Sequence, residues 1–165
     1  MQTEEAKDKR AELQAGLAIL PLTLTFIVSN LVSGWLIGRF GSRFPMIIGG
    51  LIGAVGYVLL LTLNAHSSFW QMLPVFLLIP FGMGLGVPAM TTAILAGVDH
   101  AWSGTASAVL NAARQAAGAM GVAIFGALAG SGAVHGLHDS GLVSAALLVV
   151  GAGLAWRWVA GKAKA

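Results

Sequence analysis

The sequence predicts an all-α membrane protein with about five transmembrane helices, and the distribution of its charged residues is the first reason. Residues 13–38 and 44–98 contain no Asp, Glu, Lys or Arg, and Arg39 and Arg43 are the charged residues between these two runs. A helix needs about 20 apolar residues to cross the hydrocarbon core of a bilayer. Apolar residues make up 57% of the chain and charged residues 9%, whereas soluble domains contain about 25% charged residues. The composition therefore predicts membrane lipid as the main solvent.

Five apolar segments follow one another along the chain. The predicted transmembrane domain covers residues 1–160, with spans at approximately 15–37, 45–63, 69–98, 104–130 and 140–158, a polar N-terminal segment at 1–12 and a basic tail at 161–165. The third span is longer than a bilayer requires and contains Pro74, Pro80 and Pro88, so we expect it to be kinked, tilted or partly unwound. Trp156 and Trp158 at the end of the fifth span are typical of an aromatic anchor at the membrane interface.

Arginine and lysine predict the orientation, because cytoplasmic loops of membrane proteins are enriched in both. The turn at residues 38–43 and the C-terminal tail are basic and are predicted to be cytoplasmic. The loops at 64–68 and 131–139, which contain neither Lys nor Arg, are then external. Five spans place the N-terminus outside although it contains three basic residues. This conflict is smaller if residues 1–12 form a loop inside a longer chain.

Several classes of function conflict with the composition. The net charge is +3, but Lys and Arg lie at the two ends and in one turn, so there is no basic face that would bind nucleic acid. The absence of cysteine excludes disulfides and thiolate metal sites. The glycines of residues 82–86 superficially resemble a phosphate-binding loop, but the preceding strand and the GxGxxG spacing are missing. No enzymatic activity, cofactor or metal is predicted.

Glycines four residues apart predict how the helices pack. Gly49 and Gly53 lie on the second span, and Gly126 and Gly130 lie on the fourth. Each pair presents a flat stripe that a neighbouring helix can approach closely. Static packing is the favoured interpretation, because small residues are the usual means of helix association in lipid, and a sliding surface for conformational change is the alternative.

Four motifs, in this order along the chain, resemble those of one transporter family. They are Gly16 to Pro21 in the first span; Gly34, Leu36, Arg39, Gly41 and Arg43 in the following turn; Gly82, Gly84, Gly86 and Pro88 in the third span; and Ser107, Asn111, Arg114, Gln115, Gly118, Gly121 and Gly126 in the fourth. Together they resemble the major facilitator superfamily, in the C-terminal part of its fourteen-span multidrug efflux branch. The turn has Gly38 where the fuller family signature has an acid, so the family's carboxylate contact at this place is not carried over.

The resemblance implies a C-terminal fragment of a secondary active transporter that exchanges protons for drugs or other small lipophilic compounds in a bacterial inner membrane. Such transporters have two halves that rock around a central site, and these residues correspond to the last five helices of the second half. The first and fourth spans would contact the absent half, the third would line the cavity, and the second and fifth would face lipid. The fragment is not expected to transport alone. Because no carboxylate lies inside a predicted span, the proton-carrying acid is expected in the absent part.

Arg114 is the one strongly charged residue that lies well inside a predicted span, since Arg157 is at the very end of the fifth. A rise of about 1.5 Å per residue places it roughly 15 Å along the fourth span, near the middle of a core about 30 Å thick. Ser107, Asn111 and Gly118 share a helical face with it, and Gln115 lies beside that face. Because an arginine in lipid costs about 2.5 to 3.5 kcal/mol, we expect the guanidinium to point into the bundle. In one interpretation it contacts a carboxylate of the absent half or tunes a proton-carrying acid. In the other it only bonds to helix carbonyls and neighbouring amides.

Two other classes of protein remain open at this point. A small non-transporting membrane subunit would pack its glycine stripes and polar positions such as Asn30 and Asn111 against a partner membrane protein. A metal enzyme would use His135, His138 and Asp139, whose spacing puts both imidazoles on one face of a helix. We expect these three residues in a glycine-rich connecting loop without a general base, so an ordinary solvated loop is favoured over a metal site.

Overall fold

The computed structural model describes residues 2–64, 68–129 and 133–159, and these residues are almost entirely helical. The helices are α1 (Gln2–Phe40), α2 (Arg43–Leu60), α3 (Phe69–Ala96), α4 (Ser103–Ala129) and α5 (Ala133–Trp158), with a short 3₁₀ turn at His100–Trp102 before α4. Five stretches are long and apolar enough to cross a membrane, namely Leu20–Phe40, Arg43–Leu60, Trp70–Ala96, His100–Leu128 and His135–Trp158. The predicted all-α membrane fold is confirmed.

The N-terminal segment and the loop before α5 differ from the sequence-based boundaries. The backbone of the polar residues 2–12 continues into α1 without a break. The loop predicted at 131–139 is wrong from Ala133 onward, since α5 begins there. Glycine is common inside transmembrane helices, so the glycines near this point do not end the helix. The earlier start places Asp139 inside the apolar stretch of α5, which corrects the expectation that no span contains a carboxylate.

Helix α3 is continuous through all three of its prolines. Of the three expected features, partial unwinding is therefore wrong, while the kink and the tilt stay predictions. Its first turn is closed by a capping box, in which the backbone N–H of Ser68 donates to the Gln71 side chain at 3.1 Å. Near its other end, Thr92 Oγ1 donates to the carbonyl oxygen of Pro88 at 2.9 Å. Such side-chain bonds help a transmembrane helix accommodate proline.

Helix α2 lies at the centre of the bundle. It packs against α3 on one side and α5 on the other, while α1 packs mainly on α3 and α4 contacts α5 and, more lightly, α3. Antiparallel α2 and α5 follow each other closely: a Cβ atom on Gly50 would lie 3.2 Å from Ala152 Cβ, and one on Gly141 would lie 3.2 Å from the carbonyl oxygen of Tyr57. Where α2 ends, His138 Nε2 lies 3.0 Å from the carbonyl oxygen of Leu63.

Glycine brings α2 and α3 together backbone to backbone. A Cβ atom on Gly49 would lie 2.6 Å from the carbonyl oxygen of Gly82 and 2.8 Å from the amide nitrogen of Gly86. A Cβ atom on Gly82 would lie 2.5 Å from the amide nitrogen of Gly53. No side chain fits between these two helices, so their separation is set by the main chains.

Helix α1 is joined to α3 by buried serines. Ser29 and Ser33 are both 0% exposed, and Ser33 Oγ donates to the carbonyl oxygen of Leu85 on α3 at 2.7 Å. Gly84 of α3 lies directly opposite Ser29, whose hydroxyl would overlap any Cβ atom added at Gly84. A short polar side chain on one helix and a glycine on the other therefore set the α1–α3 contact.

Helix α4 is the least covered of the helices. Within its membrane-spanning stretch 0% of the residues are buried, against 28% in the corresponding stretches of α2, α3 and α5. The predicted glycine stripe of α4 does not pack in the described part of the chain, because a Cβ atom on Gly126 would have no neighbour within 4 Å. Gly130 lies outside the described residues. The same open space surrounds Gly118, and the nearest atom to a Cβ on Gly121 belongs to Phe125 of the same helix.

Candidate functional site

The turn between α1 and α2 is built around Gly41. This glycine has a φ of 80°, and its amide nitrogen donates to the carbonyl oxygen of Ile37 at 2.9 Å, which ends α1. Other residue types rarely adopt this conformation. Helix α2 begins two residues later, so the chain reverses within a few ångströms.

The two arginines of this turn have different surroundings. The Arg39 guanidinium lies 5.7 Å from the ring centroid of Trp35 and 5.9 Å from that of Phe40. It is exposed in the last turn of α1, where a positive charge interacts favourably with the helix dipole. Arg43 is half-buried at the first position of α2. Both arginines are placed to hold the helix ends at a membrane surface.

The other residues of the predicted turn motif make few contacts. Gly34 and Gly38 are exposed, and an added Cβ atom at either one would have no neighbour within 4 Å in the described chain. Leu36 is half-buried. The glycine at position 38 therefore leaves open surface at the place where the family signature has an acid.

Arg114 of α4 reaches across to α3. Its Nη2 donates to Thr91 Oγ1 at 2.6 Å and lies 3.4 Å from the carbonyl oxygen of Val87. Thr91 Oγ1 itself donates to the Val87 carbonyl at 2.9 Å. The guanidinium is half-buried and faces the bundle. This polar contact is the hydrogen-bonded link between α3 and α4 in the described part of the chain.

The polar residues predicted to accompany Arg114 lie on an uncovered edge of α4. Ser107, Asn111 and Gln115 are all exposed. They flank the side of the helix that meets α3, so the charged group is bonded to α3 while its polar neighbours remain free of α3. Asn30, the remaining predicted cavity residue, bonds within α1, where its Nδ2 donates to the carbonyl oxygen of Phe26 at 2.7 Å. Helices α1 and α4 do not contact each other in the described chain.

Carboxylates are scarce around Arg114. Among the side chains that the structure describes, the acidic ones are Asp99 before α4 and Asp139 near the start of α5, and neither forms an ion pair with Arg114. Arg114 is therefore a cation in an apolar helix without a described counter-charge. This differs from an ordinary buried ion pair, in which the partner charge is part of the same bundle.

The histidines near the start of α5 occupy a helix and not the expected connecting loop. His138 bonds to the carbonyl oxygen of Leu63, and His135 is exposed. Within the residues that the structure describes, no group of three or more His, Cys, Asp or Glu side chains is close enough to hold a metal ion. The bond from His138 to the end of α2 is consistent with a role in helix packing.

Sequence reasoning missed Thr91 and an apolar cleft. The cleft, of about 220 Å³, lies between α2, α3 and α5, and its lining includes Gly49, Met83, Val87 and Leu147. Val87 also accepts the hydrogen bond from Arg114, so the cleft and the guanidinium meet at this residue. A threonine three residues after Pro88 carries no signal in the sequence that identifies it as a partner of Arg114.

Comparisons with known proteins place these features in a family. Residues 4–122 match the model of the Major Facilitator Superfamily. The chain is 30% identical over 148 residues to a methylenomycin A resistance protein of Bacillus subtilis, covering 84% of this chain and 32% of that protein. It is 35% identical over 137 residues to the puromycin resistance protein pur8 of Streptomyces alboniger, covering 79% of this chain and 27% of that protein.

The extent of these matches is also informative. A second methylenomycin A resistance protein, from Streptomyces coelicolor, is 29% identical over 149 residues, which cover 89% of this chain and 31% of that protein. The chain thus spans about a third of the length of the curated relatives it matches. No solved structure gives a significant match. Because the family model covers most of the sequence, the chain belongs to the major facilitator superfamily, a family of membrane transporters and not of enzymes.

Proposed function

We propose that this chain forms the C-terminal part of a proton-coupled exporter of drugs or other small lipophilic compounds, and that it does not transport alone. The observation that supports this most directly is the uncovered α4. A membrane-spanning stretch with no buried residue and with an arginine on its inner face is half of an interface. Relatives about three times as long as this chain have room for additional helices, which we propose cover it.

The low burial of α1 and α4, whose membrane-spanning stretches are 11% and 0% buried, favours an interface at these two helices. Only Ser29 and Ser33 are buried in the membrane-spanning part of α1, and both face α3. Alternating access requires two bundles that enclose one site. We propose that α1 and α4 contact the remainder of the transporter, that α3 lines the cavity, and that the outer faces of α2 and α5 contact lipid.

Proton coupling is assigned to the remainder of the transporter. The apolar stretches of α1 to α4 contain no Asp or Glu. Asp139 lies in the second turn of α5, close to the N-terminal end of that helix. A proton carrier near the central site would therefore come from the absent part.

Reconstitution in liposomes tests whether this chain can transport without the rest of the transporter. Purified chain in liposomes is expected not to accumulate methylenomycin A in response to a pH gradient, whereas the Bacillus subtilis methylenomycin A resistance protein in identical liposomes serves as the positive control. Uptake by the chain alone, abolished by a protonophore, would show that the proposal of an incomplete transporter is wrong.

A chimera tests the transporter role itself. The N-terminal two thirds of the Bacillus subtilis relative, fused to this chain, is expected to restore resistance to methylenomycin A in a strain that lacks the relative. The matched control is the same N-terminal part alone. A chimera that reaches the membrane at the level of the intact relative and gives no resistance would contradict the proposed role.

The proposed orientation places the α1–α2 turn and the C-terminal tail in the cytoplasm of a bacterial cell, with the C-terminal end of α2 outside. The chain has no native cysteine, so single cysteines at Ser42, Ser67 and Ser131 report cleanly. Intact cells treated with an impermeant thiol reagent are expected to label the variants at Ser67 and Ser131 and to leave the variant at Ser42 unlabelled until the cells are opened. The reverse pattern would invert the topology.

A further inference from the structure

Arg114 has hydrogen-bonding capacity that the bundle does not use. A guanidinium has five N–H donors arranged in a planar fork. Both recorded bonds, to Thr91 Oγ1 and to the carbonyl oxygen of Val87, are made by Nη2. In the described part of the chain, no acceptor is recorded for Nη1 or Nε, and no carboxylate neutralises the charge. The edge of the fork formed by Nη1 and Nε is therefore available to a ligand.

Polar neighbours adjoin this edge. Asn111 and Ser107 lie about one and two turns before Arg114 on α4, and both are exposed. An amide N–H and a hydroxyl beside a guanidinium suit an acceptor-only anion. A carboxylate fits the charge and the geometry, because its two oxygens pair with two N–H groups of arginine and its single charge balances one guanidinium.

An apolar cleft shares one residue, Val87, with the contact that Arg114 makes. Val87 accepts the hydrogen bond from Arg114 and also lines the cleft of about 220 Å³, together with Met83, Met90 and Leu147. Ligand pockets for drug-sized molecules have volumes of about 300 to 1,000 Å³. This cleft therefore suits a smaller apolar body, such as a short alkyl chain or a single ring. A cation beside a small apolar cleft is the arrangement expected for a ligand with an anionic head.

We propose that Arg114, with Asn111 and Ser107, binds the carboxylate of an amphiphilic transported compound, whose apolar part enters the cleft at Val87. This assignment rests on the proposed exporter function and narrows its substrates to compounds that carry a carboxylate. Thr91 is a positioning residue, because its hydroxyl holds Nη2 and leaves the edge formed by Nη1 and Nε free to bind.

Binding to the purified full chain in nanodiscs of uncharged lipid tests the proposal without any requirement for transport. Equilibrium dialysis would compare 4-phenylbutyrate with 4-phenylbutylamine, which has a similar apolar body and a positive head, and empty nanodiscs would supply the blank. The acid is expected to bind saturably and the amine is not. Because a hydrogen bond to a charged group is stronger than one between neutral groups, Arg114→Gln is expected to weaken binding of the acid by about tenfold or more.

Two further variants separate positioning from charge. Arg114→Lys keeps the charge and loses the fork, so an intermediate affinity is expected. Thr91→Val keeps the size and removes the hydroxyl, so a loss of a few-fold is expected, with the preference for acid over amine retained. Circular dichroism of each variant checks that the helices are intact. Absence of saturable binding of the acid, equal binding of the amine, or unchanged affinity in Arg114→Gln would each overturn the proposal.

A carboxylate side chain of the absent half is the other source of the same chemistry. A transmembrane Leu–Ala peptide with one central Asp, and its Asn counterpart, would be titrated against the chain in the same lipid. Association of the Asp peptide without binding of phenylbutyrate would assign Arg114 to a protein carboxylate and overturn the substrate assignment. Failure of the exporter proposal would instead appear as an inactive chimera with binding of phenylbutyrate intact.

Discussion

The α2–α3 contact and the α3–α4 contact are opposites in construction, although α3 takes part in both. Between α2 and α3 the main chains touch at Gly49, Gly53 and Gly82. Between α3 and α4 the contact is light, and its hydrogen bonds come from Arg114. The first contact fixes one geometry, since any added atom meets backbone. The second leaves α4 uncovered and is suited to a helix that is completed by another part of the transporter.

The largest effect on stability is expected at Gly82. Its Cβ atom in Gly82→Ala would lie 2.5 Å from the amide nitrogen of Gly53 and 2.6 Å from the carbonyl oxygen of Gly49, both of which are backbone atoms that cannot rotate away. We expect a loss of about 3 kcal/mol, at the upper end of the range for overpacked cores. Thermal unfolding in detergent, followed by circular dichroism, measures it.

Gly86→Ala is the matched control on the same helix. A Cβ atom at Gly86 would have no neighbour within 4 Å in the described chain, so we expect no loss and a gain of at most about 1 kcal/mol from helix propensity. If Gly82→Ala and Gly86→Ala destabilised the chain equally, the close backbone contact between α2 and α3 at Gly82 would be contradicted.

A smaller loss is expected at the α1–α2 turn. Gly41→Ala places a side chain at a φ of 80°, which costs about 1 to 2 kcal/mol for a residue other than glycine. Gly38→Ala, where the added atom has open space, is expected to be neutral. The same unfolding measurement compares them, and a Gly41→Ala variant as stable as the wild type would indicate that the turn adopts another conformation.

Ser33 tests whether the α1–α3 contact depends on close packing, as the α2–α3 contact does, or on a hydrogen bond, as the α3–α4 contact does. Ser33→Ala removes the hydrogen bond to the carbonyl oxygen of Leu85, and a loss of about 0.6 to 1.7 kcal/mol is expected from inter-helix hydrogen bonds in membrane proteins. Ser29→Ala is the control, because Ser29 is equally buried but bonds to Phe26 within α1. If Ser29→Ala destabilises as much as Ser33→Ala, burial and not the inter-helix bond is responsible.

The same comparison shows how far sequence reasoning reaches. Charge-free runs and glycine spacing were sufficient to predict the helices and to single out Gly49 and Gly53, because both depend on the local chain alone. They did not identify Gly82 as the opposing residue or distinguish it from Gly86, since that depends on how two helices are rotated. The sequence places the start of α5 too late, because the glycines near Asp139 predict a loop. In lipid, however, helices tolerate glycine.

The candidate site was only half predictable for a related reason. Helical spacing placed Arg114, Asn111 and Ser107 on neighbouring positions of one helix. The partner Thr91 lies 23 residues away on another helix, and the cleft at Val87 exists only once α2, α3 and α5 have packed. Periodicity carries no information about either one.

The smallest effect on the stability of the isolated chain, and the sharpest contrast with Gly82, is expected at Arg114. Helix α4 has no buried residue in its spanning stretch, so Arg114→Gln removes a light contact and also removes a charge whose presence in lipid costs about 2.5 to 3.5 kcal/mol. These two effects oppose each other, and the unfolding temperature of the chain is expected to change little.

In a complete transporter that contains this chain, Arg114→Gln is expected to reduce efflux strongly. Arg114→Lys, which keeps the charge and loses the planar fork, is expected to retain part of the efflux. Efflux assays at matched membrane abundance decide between the two roles of this residue. If Arg114→Gln destabilises the chain as Gly82→Ala does and leaves efflux unchanged per folded molecule, Arg114 is a packing residue, and the division between a rigid α2–α3 contact and a functional α3–α4 contact does not hold.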